Sequence, residues 1–136
     1  MGAFDAMDIG RTGVGFARYW LDNLSHNVAN VNTVTNPDDE PFRARFVVAG
    51  ANGDEITPSG SGVHVADVLD AVGDAPLLYS PDHPLADEDG YVQGAAVDLA
   101  GQLTDMMLAQ RTYQANVRTI QTAKEAYESA LQIGRG

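Results

Sequence analysis

No cysteine occurs among the 136 residues, which excludes a disulfide, a thiolate zinc site and a cysteine nucleophile. Cations are scarce: eight Lys and Arg stand against nineteen Asp and Glu, a formal net charge of −11. Phosphate binding needs clustered Lys and Arg, so a nucleic-acid partner is excluded. No apolar run is long enough to span a bilayer, which argues against direct membrane insertion. The amino terminus carries Asp5 and Asp8 where a secretory signal has its basic region, so any export proceeds without a cleavable Sec-type leader. A chain of this length makes one domain, or one small domain with helical extensions.

What is present is charge segregation and helical periodicity. Residues 1–33 and 97–136 are close to neutral, whereas residues 34–96 hold two Arg against twelve acidic residues. The amino-terminal segment repeats small or apolar residues in alternating steps of three and four, at Met7, Gly10, Val14, Ala17, Leu21, Leu24, Val28 and Val31. The carboxy-terminal segment does the same at Leu99, Leu103, Met106, Tyr113, Val117, Ile120, Tyr127 and Leu131, interrupted by Gln110 and Lys124. That alternation is the seam of a coiled coil, and it needs a facing helix at the other end of the chain or on a neighbouring subunit.

The first helix, expected over about Phe4–Val31, contains Gly10, Gly13 and Gly15. Each costs roughly 1 kcal/mol relative to Ala, so this helix is expected to be weak until packed. It runs into Asn27-Val28-Ala29-Asn30-Val31-Asn32-Thr33. Asparagines stop helices well; alternatively Asn27 and Asn30, one turn apart, hydrogen-bond a partner helix and fix its register. The last helix, expected from Asp98 to about Ile133, lacks proline, with Asp98 as N-cap and Gly134 as stop. At 1.5 Å per residue it is about 50 Å long. A second stripe of small residues runs along it at Thr112, Ala115, Thr119, Thr122, Ala126 and Ser129, suited to a close neighbour or to a plain solvent face.

Between the helices, residues 34–41 read as loop by their Pro and Asp content. Strands are expected over Phe42–Val48, Val63–Val68, Leu77–Tyr79 and Tyr91–Val92. Ala51–Asp54 forms a turn and Pro58–Gly62 a flexible loop. Asp82, His83, Asp87 and Asp89 lack metal-ligand spacing, His26 and His64 stand alone, and Gly60-Ser61-Gly62 lacks the remainder of a phosphate loop. No acid–base or nucleophile constellation emerges, and no cofactor is implied. In Arg111-Thr112-Tyr113-Gln114-Ala115-Asn116, Tyr113 lies on the seam, Arg111 can snorkel beside it, and Asn116 offers a buried polar contact.

Three blocks carry a resemblance to the flagellar basal-body rod proteins. The first is Phe4–Ile9 followed by Asn27-x-x-Asn30-x-Asn32-Thr33. The second is Tyr79-Ser80-Pro81-Asp82-His83-Pro84-Leu85-Ala86-Asp87-Glu88-Asp89-Gly90-Tyr91-Val92, which is similar to the tract of the proximal-rod members. The third is Arg111-x-Tyr113-x-Ala115-Asn116 with Ala130–Arg135. The chain departs from the family's usual pattern at Ala96-Val97-Asp98, at Gln102-Leu103 and in its three early glycines. The resemblance implies export through the flagellar type III apparatus without cleavage. It also implies terminal helices stacked into the rod that transmits motor torque across the periplasm. Implied partners are further copies, other rod proteins and the rod-to-ring adaptor.

The expected fold is α+β, mainly α: a coiled-coil-like pair of terminal helices (residues 1–33 and 97–136) around a small acidic β module (34–96). The expected assembly interface comprises Leu21, Leu24, Asn27, Val28, Asn30, Asn32, Met106, Arg111, Tyr113, Asn116, Val117, Ile120, Tyr127 and Leu131. The expected role is structural and non-enzymatic, in the basal body. Alternatives are another rod or hook-type axial protein, a soluble coiled-coil adaptor, or a hydrolase using His83 and nearby carboxylates.

Overall fold

A computed structural model describes residues 3–53 and 60–134. The expectations placed on Asp54, Pro58, Ser59 and Arg135 lie outside these residues. Two long helices, α1 (Ala3–Ala29) and α2 (Leu99–Ile133), flank five short strands: β1 (Val34–Thr35), β2 (Arg45–Ala51), β3 (Val63–Asp70), β4 (Leu77–Tyr79) and β5 (Tyr91–Gly94). The strands form a three-stranded sheet of order β1-β5-β4 and a β2-β3 pair. The α+β class, mainly α, is as the sequence reads.

The helix ends follow their caps. Asp98 Oδ1 accepts from the Ala100 amide at 3.2 Å and the Asp98 carbonyl takes the first helical bond from Gln102, so Asp98 opens α2. α1 stops at Ala29 because the Asn30 side-chain amide returns to the His26 carbonyl (2.9 Å), while Asn30 Oδ1 accepts from the Thr33 hydroxyl (3.1 Å).

The strands differ from their sequence reading at several ends, β3 and β5 each running two residues further, to Asp70 and Gly94. The expected strand at Phe42 starts only at Arg45 and runs on to Ala51; Arg43 makes an isolated bridge to Ala96 instead. Val34 and Thr35, read as loop, pair antiparallel with Gly94 and Gln93. Two residues are too few to show a period, and only the partner strand defines them.

The chain divides into two compact units. The first joins α1 up to Leu21, Val48–Asp67 and α2 from Met107 onward. Its helices run antiparallel: the Phe4 ring meets Tyr127 edge-on at 4.8 Å, Gly10 faces Ile120, and Gly13 faces Asn116. Ala17 and Ala109 are fully buried here. Thr12 Oγ1 donates to the Ile9 carbonyl and accepts from the Val63 amide at 3.0 Å, tying α1 to the start of β3. The second unit joins Asp22–Val47 with Val68–Met106 and contains Leu24, Ala44, Val92 and Ala95 as its buried apolar residues. The Arg43 guanidinium bonds the carbonyls of Ala71 and Gly73, closing the turn after β3. Gly90, at φ +82°, makes the turn into β5, where a Cβ would crowd Pro81 at 3.0 Å.

The expected seam of α1 is half right. Gly10, Ala17 and Leu24 are buried, but the intervening buried positions are Gly13 and Asn27 rather than Val14 and Val28. On α2, Met106, Ile120 and Tyr127 are half-buried as expected, while Gln102 and Ala109 are buried in place of Leu103 and Gln110. The physical reason is backbone proximity. A Cβ on Gly10 would sit 2.8 Å from Ile120 Cγ1, and one on Gly13 would sit 2.5 Å from Asn116 Oδ1. The helices therefore meet on their smallest residues, which an apolar pattern does not mark. Gly10 and Gly13, read as weaknesses, are contact positions.

Gly15 differs, because a Cβ there would meet nothing within 4 Å. Gly15→Ala is expected to stabilise the chain by up to about 1 kcal/mol. Gly13→Leu should destabilise it by about 1–3 kcal/mol through overpacking. Thermal melts followed by circular dichroism check the pair, and equal melting temperatures would contradict the close seam.

Candidate functional site

In the second unit, two polar residues lie where a coiled coil expects apolar knobs. Asn27 is 0% exposed and Gln102 is 3% exposed. The Asn27 carboxamide Nδ2 donates to the Arg45 carbonyl at 2.8 Å and to Gln102 Oε1 at 2.7 Å, and Oδ1 accepts from the Arg45 amide at 3.0 Å. One side chain thus pairs with the β2 backbone as a neighbouring strand would, and joins it to α2. The reverse amide orientation would set oxygen against the Arg45 carbonyl, so the backbone fixes the assignment. Burying a carboxamide is costly when unpaired, and here both of its amide hydrogens and its oxygen have partners.

Around this clasp the surrounding groups are likewise tied. The Arg45 guanidinium reaches His26 Nε2 at 2.8 Å, and the His26 ring stacks at a tilt near Phe42, 5.5 Å between centroids. Ala44 donates to the Ala96 carbonyl and accepts from Ala71, while Ala96 donates to the Phe42 carbonyl. Backbone segments from three parts of the sequence, around residues 42–45, 71 and 96, therefore converge beside Asn27.

The expected interface residues separate into two sets. Leu24 and Asn27 are buried; Leu21, Val28, Asn30, Met106, Asn116, Val117, Ile120 and Tyr127 are half-buried. Asn32, Arg111, Tyr113 and Leu131 are exposed. Asn27 reaches the opposite helix through Gln102, whereas both side-chain hydrogen bonds of Asn30 are local and close the end of α1. Asn116 faces Gly13 and donates to the Thr112 carbonyl at 2.9 Å. Sequence reasoning missed Gln102 and Thr12. The signal for Gln102 was available in its spacing: Gln102, Met106, Ala109, Asn116 and Ile120 fall on one alternation by four and three, whose intervening position is exposed Tyr113.

The residues weighed as metal or catalytic candidates serve turns. His83 Nδ1 accepts from the Leu85 amide, and Asp87 Oδ1 accepts from the amides of Asp89 and Tyr91. His64 Nδ1, on β3, lies 2.6 Å from Asn52 Oδ1, just past the end of β2. The second small-residue stripe of α2 is mostly exposed, and its hydroxyls at Thr112, Thr119 and Ser129 return to the carbonyls four residues back.

Apolar surface remains outside both seams. Leu99, Leu103, Met107, Leu108, Tyr113 and Leu131 of α2 are all exposed, as are Phe4 and Tyr19 of α1. Among the described residues, no helix is long and apolar enough to cross a membrane.

Known proteins match the chain along its length. The family model described as flagellar basal body rod FlgEFG protein C-terminal matches residues 88–133. The flagellar basal-body rod protein FlgC of Escherichia coli O6:H1 is 36% identical over 135 residues, covering 99% of this chain and 100% of the relative. That of Borreliella burgdorferi is 32% identical with full coverage of both, and that of Bacillus subtilis 28% identical over 99% of this chain.

Asn27→Ala leaves the Arg45 amide and carbonyl and Gln102 Oε1 without their partner, and should destabilise the chain by about 2–4 kcal/mol. Asn30→Ala, at a more open helix end, should cost about 1 kcal/mol or less. Urea titrations of both variants test this; equal losses would show that Asn27 is only another cap.

Proposed function

The chain belongs to the FlgC family of flagellar basal-body rod proteins, and from that membership we propose that it is a structural, non-enzymatic rod subunit. It assembles through its terminal helices with further copies and with the adjoining rod and rod-to-ring adaptor proteins. Its place is the proximal rod in the periplasm, where it transmits motor torque, and it arrives through the flagellar type III apparatus without a cleaved leader. The observation that carries this reading is the distribution of apolar surface on α2. The intrachain seams take small and polar residues together with Met106, Ile120 and Tyr127, while Leu99, Leu103, Met107, Leu108, Tyr113 and Leu131 stay exposed. Exposed apolar rows of this kind mark protein interfaces.

The interface residues divide accordingly. Leu24, Asn27, Asn116 and Ile120 hold the chain's own helices. Arg111, Tyr113 and Leu131, together with Leu103 and Met107, face neighbouring subunits, and half-buried Val117 lies between the two sets. Tyr113 offers a flat apolar body with a polar tip, and Arg111 two residues earlier can lie over a neighbour's surface through its apolar stem. Buried against another subunit, each such side chain contributes on the order of 1.5–3 kcal/mol.

Tyr113→Asp and Leu131→Asp should leave the helix content of the single chain intact. Either would bury an unpaired carboxylate in the assembled rod, costing several kcal/mol per subunit, so motility and rod yield should be lost. Neutralising Asp38, Asp39 and Glu40, all exposed, should change stability by no more than about 0.5 kcal/mol each and leave swimming intact. Swimming-halo diameter and rod yield at matched expression provide the measurement. A motile Tyr113→Asp, Leu131→Asp double variant, or a non-motile loop triple, would refute the division.

A further inference from the structure

β4 forms one edge of the three-stranded sheet. β4 pairs with β5 in the register Leu77↔Gln93, Leu78↔Val92 and Tyr79↔Tyr91. The flanking bonds, Ser80 amide to Gly90 carbonyl and Gly94 amide to Pro76 carbonyl, set the alternation. Leu78 therefore bonds inward to Val92, while the amides and carbonyls of Leu77 and Tyr79 point away from the sheet. With β4 at the end of the strand order, no strand among the described residues meets them. The side chains are equally open: Leu77 is 60%, Leu78 46% and Tyr79 68% exposed. Tyr79 is held edge-on against Tyr91 at 5.2 Å, which gives the face a fixed aromatic pair. Edge strands are normally blunted by inward charges, bulges or a covering loop, and an apolar one left open is a template for another strand.

Charge identifies the occupant. From Phe46 to Gln110 the sequence contains no Lys or Arg and eleven Asp and Glu. Asp74 and Asp82 are exposed and flank β4 three residues from either end, and Glu88 and Asp89 are exposed at the turn that leads into β5. Arg43, bonded to Ala71 and Gly73, is already committed to its own loop. Antiparallel pairing of two copies about Leu78 would set Asp74 of one opposite Asp82 of the other, twice, and like charges opposite one another are unfavourable. We propose that the β4 edge receives an extended segment of a different protein, with apolar residues at its centre and Lys or Arg at its ends. The backbone ladder at Leu77 and Tyr79 supplies register, and Asp74 and Asp82 select the basic flanks. This surface lies on the strands rather than on the terminal helices, so its test is separate from that of helix-mediated assembly.

The test uses the full-length ¹⁵N-labelled chain with acetyl-Lys-Lys-Val-Thr-Val-Lys-Lys-amide at about 1 mM, and the same peptide with Glu for Lys. The Lys peptide should slow amide exchange of Leu77 and Tyr79 by about tenfold or more, while Leu78 is protected from the start. The effect should fade at about 0.5 M salt, and the Glu peptide should produce none. Leu77→Pro removes an outward N–H without touching the Leu78–Val92 bonds, so it should keep Leu78 protected and abolish the response. Asp74→Asn with Asp82→Asn should weaken the response several-fold with the fold unchanged. Equal protection by both peptides, protection by neither, or an unaltered response in both variants overturns the proposal. So does Leu77 and Tyr79 protection that rises with protein concentration alone, which would make a second copy the occupant.

Discussion

The Asn27 carboxamide is the constraint on which the second unit depends. Its three hydrogen bonds hold α1, the first residue of β2 and the first turns of α2 together. Without it, the Arg45 amide and carbonyl would lose their partner at a part-buried position. The neighbouring bonds among Phe42, Ala44, Ala71 and Ala96 are backbone to backbone and can form only when the β2 entry is fixed beside the helix. A leucine at position 27 would fill space but could not act as a strand edge. Polar satisfaction, more than apolar burial, thus decides where the strands attach to the helices.

Small residues perform the corresponding task in the first unit. Gly10 and Gly13 permit the backbone approach, and Ile120 and Asn116 occupy the space where a Cβ would have been. A seam of this kind buries little apolar area, so the fully buried apolar side chains of the described residues are mainly alanines, with Leu24 the largest. Met106, Ile120 and Tyr127 of α2 are half-buried, while Leu99, Leu103, Met107, Leu108, Tyr113 and Leu131 stay exposed. The proposed contact between chains would use the exposed set.

That division explains what could be read from the sequence. Helix existence, length and ends were legible, because Asp98, Asn30 and the three-four repeat act locally. The seam was misplaced by one position at alternate steps, since a rule that seeks apolar residues selects Val14 and Val28 over Gly13 and Asn27. Asn27 was legible as a register residue, but its strand-like pairing with Arg45 joins positions eighteen residues apart and leaves no local mark. Asn30 carries the same residue type and differs only in environment. β1 was invisible because Val34–Thr35 is a strand only by virtue of β5.

A small, polar-pinned core also suits the proposed route of assembly. Hydrophobic stabilisation scales with the apolar area buried, and the side chains buried within this single chain supply little of it. The conformational entropy of ordering two long helices is correspondingly less well offset before partners arrive. Such a chain would unfold at low cost, as the proposed passage through an export channel requires, and the proposed neighbours would supply further stability. The asparagine clasp fits this logic. Its hydrogen bonds are geometrically exacting but modest in net energy, so they specify one arrangement of helices and strands without making the isolated chain difficult to unfold.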